Sequence, residues 1–319
     1  MFLFVGVLNG QVILPTPETA FELQHNFNPE VIKTKGIKKI TFDIIDKNDY
    51  EVAVDKSLTE NYEFTAEGML ARYYYTSISK IVEKQVTRVG RKGQRFSETF
   101  NEYVFDTVST SYFYSAGRLI LKRFHNGLNY YESRYYRYDS AGNLTKELRF
   151  KETNNSQNPS VFILGNQVLL SEDSFQYQKY SSGQVKCTFL NNENRPYKER
   201  ITNYDSLGRK KTVSEHYTAA SWIMQEMMFE YSGKDLAVAK FEGNANKMVR
   251  LKNTYEFDEN KELYTEKQYR DSVLLKEISY VTSRADTLLS SIVIRDPINK
   301  TIRIVKLRYD LGMIGKSDR

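Results

Sequence analysis

Tyr138-Asp139-Ser140-Ala141-Gly142-Asn143-Leu144 is the stretch whose reading decides the fold. Asp139 can hydrogen-bond the backbone two residues on, and Gly142 can take the positive φ that closes a tight turn. Asp at the first position and Gly at the fourth is the preference of a type I turn, commonly continued into a β-bulge. The residues after the turn alternate: Leu144, Leu148 and Phe150 share one face of a strand, and Thr145, Glu147 and Arg149 share the other. The stretch therefore predicts a hairpin between two strands.

Weaker copies recur along most of the chain. They centre on Gly68, Gly117, Gly142, Gly183, Gly208, Gly233, Lys261 and Gly312, and the aromatics before them are Phe64, Tyr114, Tyr138, Tyr180, Tyr204, Tyr231, Phe257 and Tyr309. Asp205 repeats the role of Asp139 in Tyr204-Asp205-Ser206-Leu207-Gly208. Gly117 and Gly142 are as far apart as Gly208 and Gly233, and Gly68 lies about twice that distance before Gly117. A fixed period of this size marks a repeat architecture. Second turn signals fall between the copies, at Gly90-Arg91-Lys92-Gly93, His125-Asn126-Gly127, Asn191 to Pro196 and Gly243-Asn244-Ala245-Asn246. One period is thus two strands and two turns, with roughly eight residues per strand. The expected fold is all-β: a long antiparallel meander of hairpins, twisted, with scope to curl into an open barrel or half-shell.

Composition agrees. The 319 residues include 24 Tyr and 18 Phe but only 6 Pro, which favours strands. A hydrophobic share of 40% and a mean hydropathy of −0.57 describe a wet surface. The net charge is +6, yet the 46 basic and 40 acidic residues are interleaved. The densest basic runs, Arg88 to Arg95 and Arg209-Lys210-Lys211, sit in or beside turns and read as solvated edges, so nucleic acid is not an expected partner. Cys187 is the only cysteine, which excludes an intramolecular disulfide and a Cys-based zinc site, and its spacing from Val185 predicts burial.

The chain divides as 1–10, 11–58 and 59–319. Residues 1–10, Met1-Phe2-Leu3-Phe4-Val5-Gly6-Val7-Leu8-Asn9-Gly10, are apolar but too short to span a bilayer, and no other run reaches transmembrane length. They read as the end of a secretory signal lacking its basic start, with Gly10 before Gln11 as a tolerable cleavage position; a buried first strand is the alternative. Residues 11–58 hold Pro15, Pro17 and Pro29, with a short helix expected around Glu18 to Leu23 and strand alternation from Ile37. The hairpin repeats occupy 59–319, interrupted by an insertion at 151–174 that carries an exposed loop and the apolar run Val161 to Leu164.

Little in the chain points to catalysis. His25, His125 and His216 are too scattered for a ligand pair, and no phosphate loop, nucleophile elbow or zinc-protease motif is present. Asp43, Asp46, Asp49 and Asp55 lack the Gly and closing Glu of a calcium loop. No catalytic residue, cofactor or metal is expected. Tyr73-Tyr74-Tyr75, Tyr130-Tyr131 and Tyr135-Tyr136 must send neighbouring rings to opposite faces. Tyr73, Tyr75, Tyr131 and Tyr135 are therefore candidates for an aromatic surface that stacks sugars or receives a protein; cross-strand pairing that steadies the sheet is the simpler reading.

Tyr138-Asp139-Ser140-Ala141-Gly142-Asn143-Leu144-Thr145 and Tyr204-Asp205-Ser206-Leu207-Gly208-Arg209 resemble the YD repeats of Rhs-type bacterial surface and toxin proteins. The likeness covers residues 60–319 loosely and implies a curled, hairpin-built sheet with no catalytic residues. The style as a whole is similar to envelope proteins of Bacteroidetes-type bacteria. The function expected is that of a non-enzymatic, exported binding or scaffold protein of the cell envelope, located in the periplasm, outer membrane or cell surface, with a protein or glycan partner. An intracellular immunity-type protein that neutralises a toxin comes second, and a glycan-acting enzyme third.

Overall fold

The computed structural model describes residues 11–312 apart from 23–24, 49–50, 90–93, 159–160, 181–182, 221–223, 244–247 and 284–287. The N-terminal run 1–10, Asp49, part of the Arg88 to Arg95 run and the residues after Gly312 lie outside the described set. Among the described residues there is one helix, α1 (Pro29–Thr34), and eighteen strands. The strands are β1 (Ile37–Asn48), β2 (Val54–Phe64), β3 (Leu70–Val89), β4 (Arg95–Ser115), β5 (Arg118–His125), β6 (Tyr131–Tyr138), β7 (Leu144–Asn154), β8 (Leu164–Lys179) and β9 (Gln184–Leu190). They continue as β10 (Pro196–Tyr204), β11 (Lys210–Tyr217), β12 (Gln225–Ser232), β13 (Asp235–Gly243), β14 (Val249–Phe257), β15 (Leu263–Arg270), β16 (Val273–Thr282), β17 (Leu289–Asp296) and β18 (Thr301–Leu311).

Each strand pairs antiparallel with the next, and β18 returns to pair with β1 through Ile40↔Tyr309, Phe42↔Leu307 and Ile44↔Val305. The meander therefore closes into a barrel, which removes both sheet edges along the wall. Because strands alternate in direction, all the hairpins built on the aromatic-plus-glycine turn open on one rim. Among the described residues, the second turns at 126–130 and 191–195 lie on the other; the turn signals at 90–93 and 244–246 lie outside the described residues.

The turn chemistry accounts for the motif. Gly142 N–H donates to the Asp139 carbonyl at 3.1 Å, Asp139 N–H donates to the Asn143 carbonyl at 3.0 Å, and Asn143 N–H donates to Asp139 Oδ1 at 2.8 Å. Gly142 sits at φ +89, and the register slips by one residue at Arg137/Tyr138, so the turn ends in the expected bulge. Asp205 and Asp258 accept from their own loops in the same way, and Lys261 adopts φ +65 where other copies have Gly. Two copies differ. Ser115 pairs with Arg118 and Ser232 with Asp235, so Gly117 and Gly233 lie in two-residue hairpin loops; at the first, Ala116 and Gly117 both have positive φ, as a type I′ turn requires. Gly312 comes directly after β18 and its N–H reaches the Gly36 carbonyl at 2.8 Å.

Residues 17–21 form turns, and the short helix lies instead at Pro29–Thr34, later than expected. Asn28 caps it by accepting the Glu30 N–H at 3.2 Å, and Pro29 supplies a preset φ at the first turn. The described residues of 11–36 lie inside the barrel as a plug, with Val12, Ile13, Ala20, Phe27, Val31 and Ile32 buried in its core. Gln11 Nε2 donates to the Leu263 carbonyl at 3.0 Å, Asn253 Nδ2 to the Ala20 carbonyl at 2.5 Å, and Lys210 Nζ meets Glu18 at 2.5 Å. At the opposite side of the ring Pro29 packs under the β2–β3 turn at Gly68.

Val12, Ile13, Phe27, Val31 and Ile32 of this segment pack on Ile40, Phe42, Tyr62, Phe229, Ala239, Tyr255, Ile278, Ile292 and Val305 of the wall. The register places these wall residues on one face, the interior one, so the apolar core joins the plug to β1–β2 and β12–β18. Around β5–β7 the interior positions are polar, with Lys122, Arg134, Glu147 and Arg149, while Leu121, Leu148 and Phe150 point outward. The outer face carries charge at mid-strand, much of it paired: Asp43–Arg308 at 2.5 Å, Lys186–Glu199 at 2.6 Å, Lys240–Glu230 at 2.5 Å and Lys267–Glu256 at 3.2 Å. Barrels that sit in lipid carry an apolar band there instead.

Candidate functional site

The plug does not fill its half of the barrel. Between it and the interior faces of β1–β3 and β14–β18 lies a cavity of about 650 Å³. Two polar groups of side chains meet there. On β2 and β3, Tyr62 Oη donates to Glu60 Oε2 at 2.7 Å, and the rings of Tyr62 and Tyr73 stack with centroids 4.8 Å apart. His25 of the plug stands 5.4 Å from the Phe42 ring and 6.4 Å from that of Tyr62. On β15 and β16, Tyr280 Oη donates to Glu266 Oε2 at 2.9 Å and Gln268 Nε2 to Glu266 Oε1 at 2.7 Å.

The low-dielectric interior shifts these groups. Burial pushes the Glu266 carboxyl above its ordinary value, outweighing the hydrogen bonds from Gln268 and Tyr280. Burial also depresses His25, with the charge of Glu60 acting the other way. Burial raises the Tyr62 and Tyr280 hydroxyls, and the adjacent carboxylates Glu60 and Glu266 add to it. Arg303, also at the cavity, is tied to Asp46 through Nε at 2.7 Å and a second bond at 3.1 Å. Chemically, the cavity offers aromatic faces to C–H groups and carboxylate or amide oxygens to hydroxyls. Among the described residues no cluster of His, Cys, Asp and Glu could hold a metal ion.

Of the tyrosines singled out in the sequence, Tyr73 and Tyr75 line this cavity. Tyr131 and Tyr135 lie on the outer face of β6, and the structure does not bring the two pairs together. Tyr131 stacks on His125 with centroids 4.4 Å apart and meets Phe162 edge-on; Tyr135 Oη donates to Glu152 Oε1 at 2.6 Å. Glu152 is fully buried and also accepts from Ser133 at 2.5 Å, Gln167 at 2.8 Å and Arg123 at 3.0 Å. The Arg123 guanidinium lies 3.6 Å from the Phe162 ring centroid, so the β7–β8 loop seals this cluster.

The aspartates are dispersed: Asp43 and Asp46 pair with Arg308 and Arg303, and Asp55 accepts the Ser57 N–H. Cys187 is buried as expected, and burial pushes its thiol up. His216 pairs with Glu199 at 3.2 Å. Sequence reasoning missed Glu60 and Glu266, which lie far apart in the chain. The available signal was a carboxylate in an otherwise apolar interior row, as in Leu58-Glu60-Tyr62.

No family model matches the chain, and no curated protein matches it. Solved structures give weak likenesses. A porin-like protein from Bacteroides uniformis has a TM-score of 0.39 at 11% identity, over 86% of this chain and 97% of that one. A porin-like protein from Bacteroides vulgatus has 0.30 at 9% identity, over 86% and 98%. A chain of the TcdB2-TccC3-Cdc42 complex has 0.22 at 13% identity, over 83% of this chain and 16% of that one. At such scores the link to porin-like or Rhs-type β-folds is a loose one.

Proposed function

We propose that this chain is a non-enzymatic, exported binding protein of a bacterial envelope whose barrel holds a glycan-type ligand between the plug and the wall. The observation that carries the reading is the cavity itself. Its Tyr73, Tyr75 and Tyr255 rings and its Glu60, Glu266 and Gln268 side chains combine stacking surfaces with hydroxyl-directed acceptors. That pairing suits a sugar, which presents C–H faces and a ring of hydroxyls. The charged outer wall suits a barrel standing in water beside a membrane. Export is supported by the apolar run Met1 to Gly10.

The test is calorimetric titration of the purified protein with a panel of envelope and dietary oligosaccharides, repeated with Tyr73→Ala and Glu60→Gln. A saccharide that binds the wild type and binds each variant at least tenfold more weakly supports the reading. A panel without binders, or binding indifferent to both substitutions, removes it.

A further inference from the structure

We propose that the cavity between plug and wall takes an amino sugar with a free amine, and that Glu60 of β2 receives its ammonium group. This rests on the glycan reading of the same cavity and narrows its ligand class. Glu60 stands in the interior row of β2, directly opposite Phe42 of β1 on one side and Tyr75 of β3 on the other. Tyr62 comes next along that row and stacks on Tyr73, whose ring centroid lies 5.6 Å from that of Tyr75. Phe42 and Tyr62 close the series at 4.9 Å. Glu60, Phe42, Tyr73 and Tyr75 all line the cavity. A carboxylate is thus set among aromatic rings where a ligand can reach it.

Glu60 has no ion pair among the described residues. Tyr62 Oη donates to it at 2.7 Å, but a phenol is neutral. Burial holds the Tyr73 hydroxyl protonated as well, and the Glu60 charge adds to that effect. Arg303 is close enough to feel Glu60, yet its guanidinium is engaged by both carboxylate oxygens of Asp46, at 2.7 and 3.1 Å. Lys276, the other basic side chain at the cavity with Arg303, stands on β16 and acts on Glu266. A carboxylate held away from bulk water without a counter-charge is costly, and a ligand cation removes that cost. The hydroxyls of a neutral sugar can bond Glu60 but cannot balance it.

The surroundings select an organic ammonium over a metal ion. A hard cation needs a shell of oxygen ligands, and among the described residues no group of His, Cys, Asp and Glu could hold one. Ring faces instead attract an ammonium through their quadrupoles. His25 of the plug supplies a second acceptor. It opens onto this cavity and onto a smaller one of about 240 Å³ toward β4. It makes ring contacts with Phe42 and Tyr62 and has no hydrogen-bond partner among the described residues. Burial disfavours its protonated form, with the Glu60 charge acting the other way, and a neutral imidazole keeps one nitrogen free to accept. An ammonium has three donors and no acceptor, which suits a carboxylate and a neutral imidazole together. The hydroxyls of the same sugar find Glu266 and Gln268 elsewhere on the cavity wall.

Calorimetric titration of the full chain tests this with two probes, the fully deacetylated glucosamine trisaccharide and its N-acetylated counterpart, at a pH where the amines are charged. The wild type is expected to bind the amine form about tenfold more tightly or better, and the ratio is expected to fall to about one in Glu60→Gln. A wild type that binds both probes alike, or a preference that survives in Glu60→Gln, overturns the proposal and leaves the glycan reading standing. Binding of neither probe overturns it too, and the oligosaccharide panel then decides the glycan reading separately. Should Glu60→Gln fail to fold, competition on the wild type serves. Tetramethylammonium chloride must displace the amine probe at concentrations where sodium chloride does not, and equal displacement by the two salts contradicts the site.

Discussion

Tyr138, at the end of β6, donates its hydroxyl to the carbonyl of Leu119, at the start of β5, at 2.9 Å. Three other repeat aromatics do the same one hairpin apart: Tyr114 to Leu70 at 3.0 Å, Tyr231 to Lys210 at 2.8 Å and Tyr309 to Leu289 at 2.6 Å. The aromatic of the repeat is therefore a pin between successive hairpins on one rim, placed there by the bulge after it. Tyr138→Phe and Tyr231→Phe keep the ring and lose only the bond. Each is expected to cost about 1 kcal/mol in denaturant unfolding, and the double variant about the sum, since the two pins share no partner.

Gly68 and Gly208 both sit at positive φ, +84 and +76, but in different surroundings. A Cβ at Gly208 meets nothing within 4 Å, whereas at Gly68 it would lie 2.0 Å from the Pro29 carbonyl oxygen. Gly208→Ala is expected to cost about 1–2 kcal/mol from backbone strain alone. Gly68→Ala must cost more, because α1 and the plug have to move. Equal melting temperatures for the two variants would contradict the docking of the plug against this turn.

Glu152 is the shared acceptor of Arg123, Ser133, Tyr135 and Gln167 on the outer wall. Glu152→Ala leaves a largely buried guanidinium unpaired and is expected to cost about 3–5 kcal/mol. The Phe162 loop should then become sensitive to limited proteolysis, while the wild type resists.

Glu266 gives a pH signature. Its folded pKa lies above the unfolded value of 4.5, so the folded state binds the proton more tightly. The stability this supplies is fully present below pH 4.5 and is lost as the pH rises through the folded value. Glu266→Gln stays neutral throughout. It is expected to melt with the wild type under acid conditions and above it at neutral pH, as followed by thermal unfolding across a pH series.

Much of this architecture was legible in the chain because turn chemistry is local. Asp139 and Gly142 specify their loop through bonds within five residues, and the alternation after Leu144 fixes two faces. Closure was not legible, since the Phe42↔Leu307 pairing depends on the accumulated twist and stagger of all the strands between. Nor was the direction of the faces: Leu148 and Phe150 look like core residues, yet the plug occupies the other half of the barrel and they turn outward. The cavity was hidden for the same reason. Glu60 and Glu266 become neighbours of one space only when β1–β3 and β14–β18 meet across the β18–β1 seam.

That seam is the most direct place to test the barrel. Thr41 and Arg308 are directly opposed across it on the outer face. Opposed residues in an antiparallel pair have Cα atoms about 4.5–5.5 Å apart, within the span of a disulfide. In a Cys187→Ser background, Thr41→Cys with Arg308→Cys should oxidise to an intramolecular bond at low protein concentration, seen as a mobility shift that reductant reverses. Two free thiols after oxidation, or only linked pairs of chains, would mean that β1 and β18 do not meet and that the barrel is open.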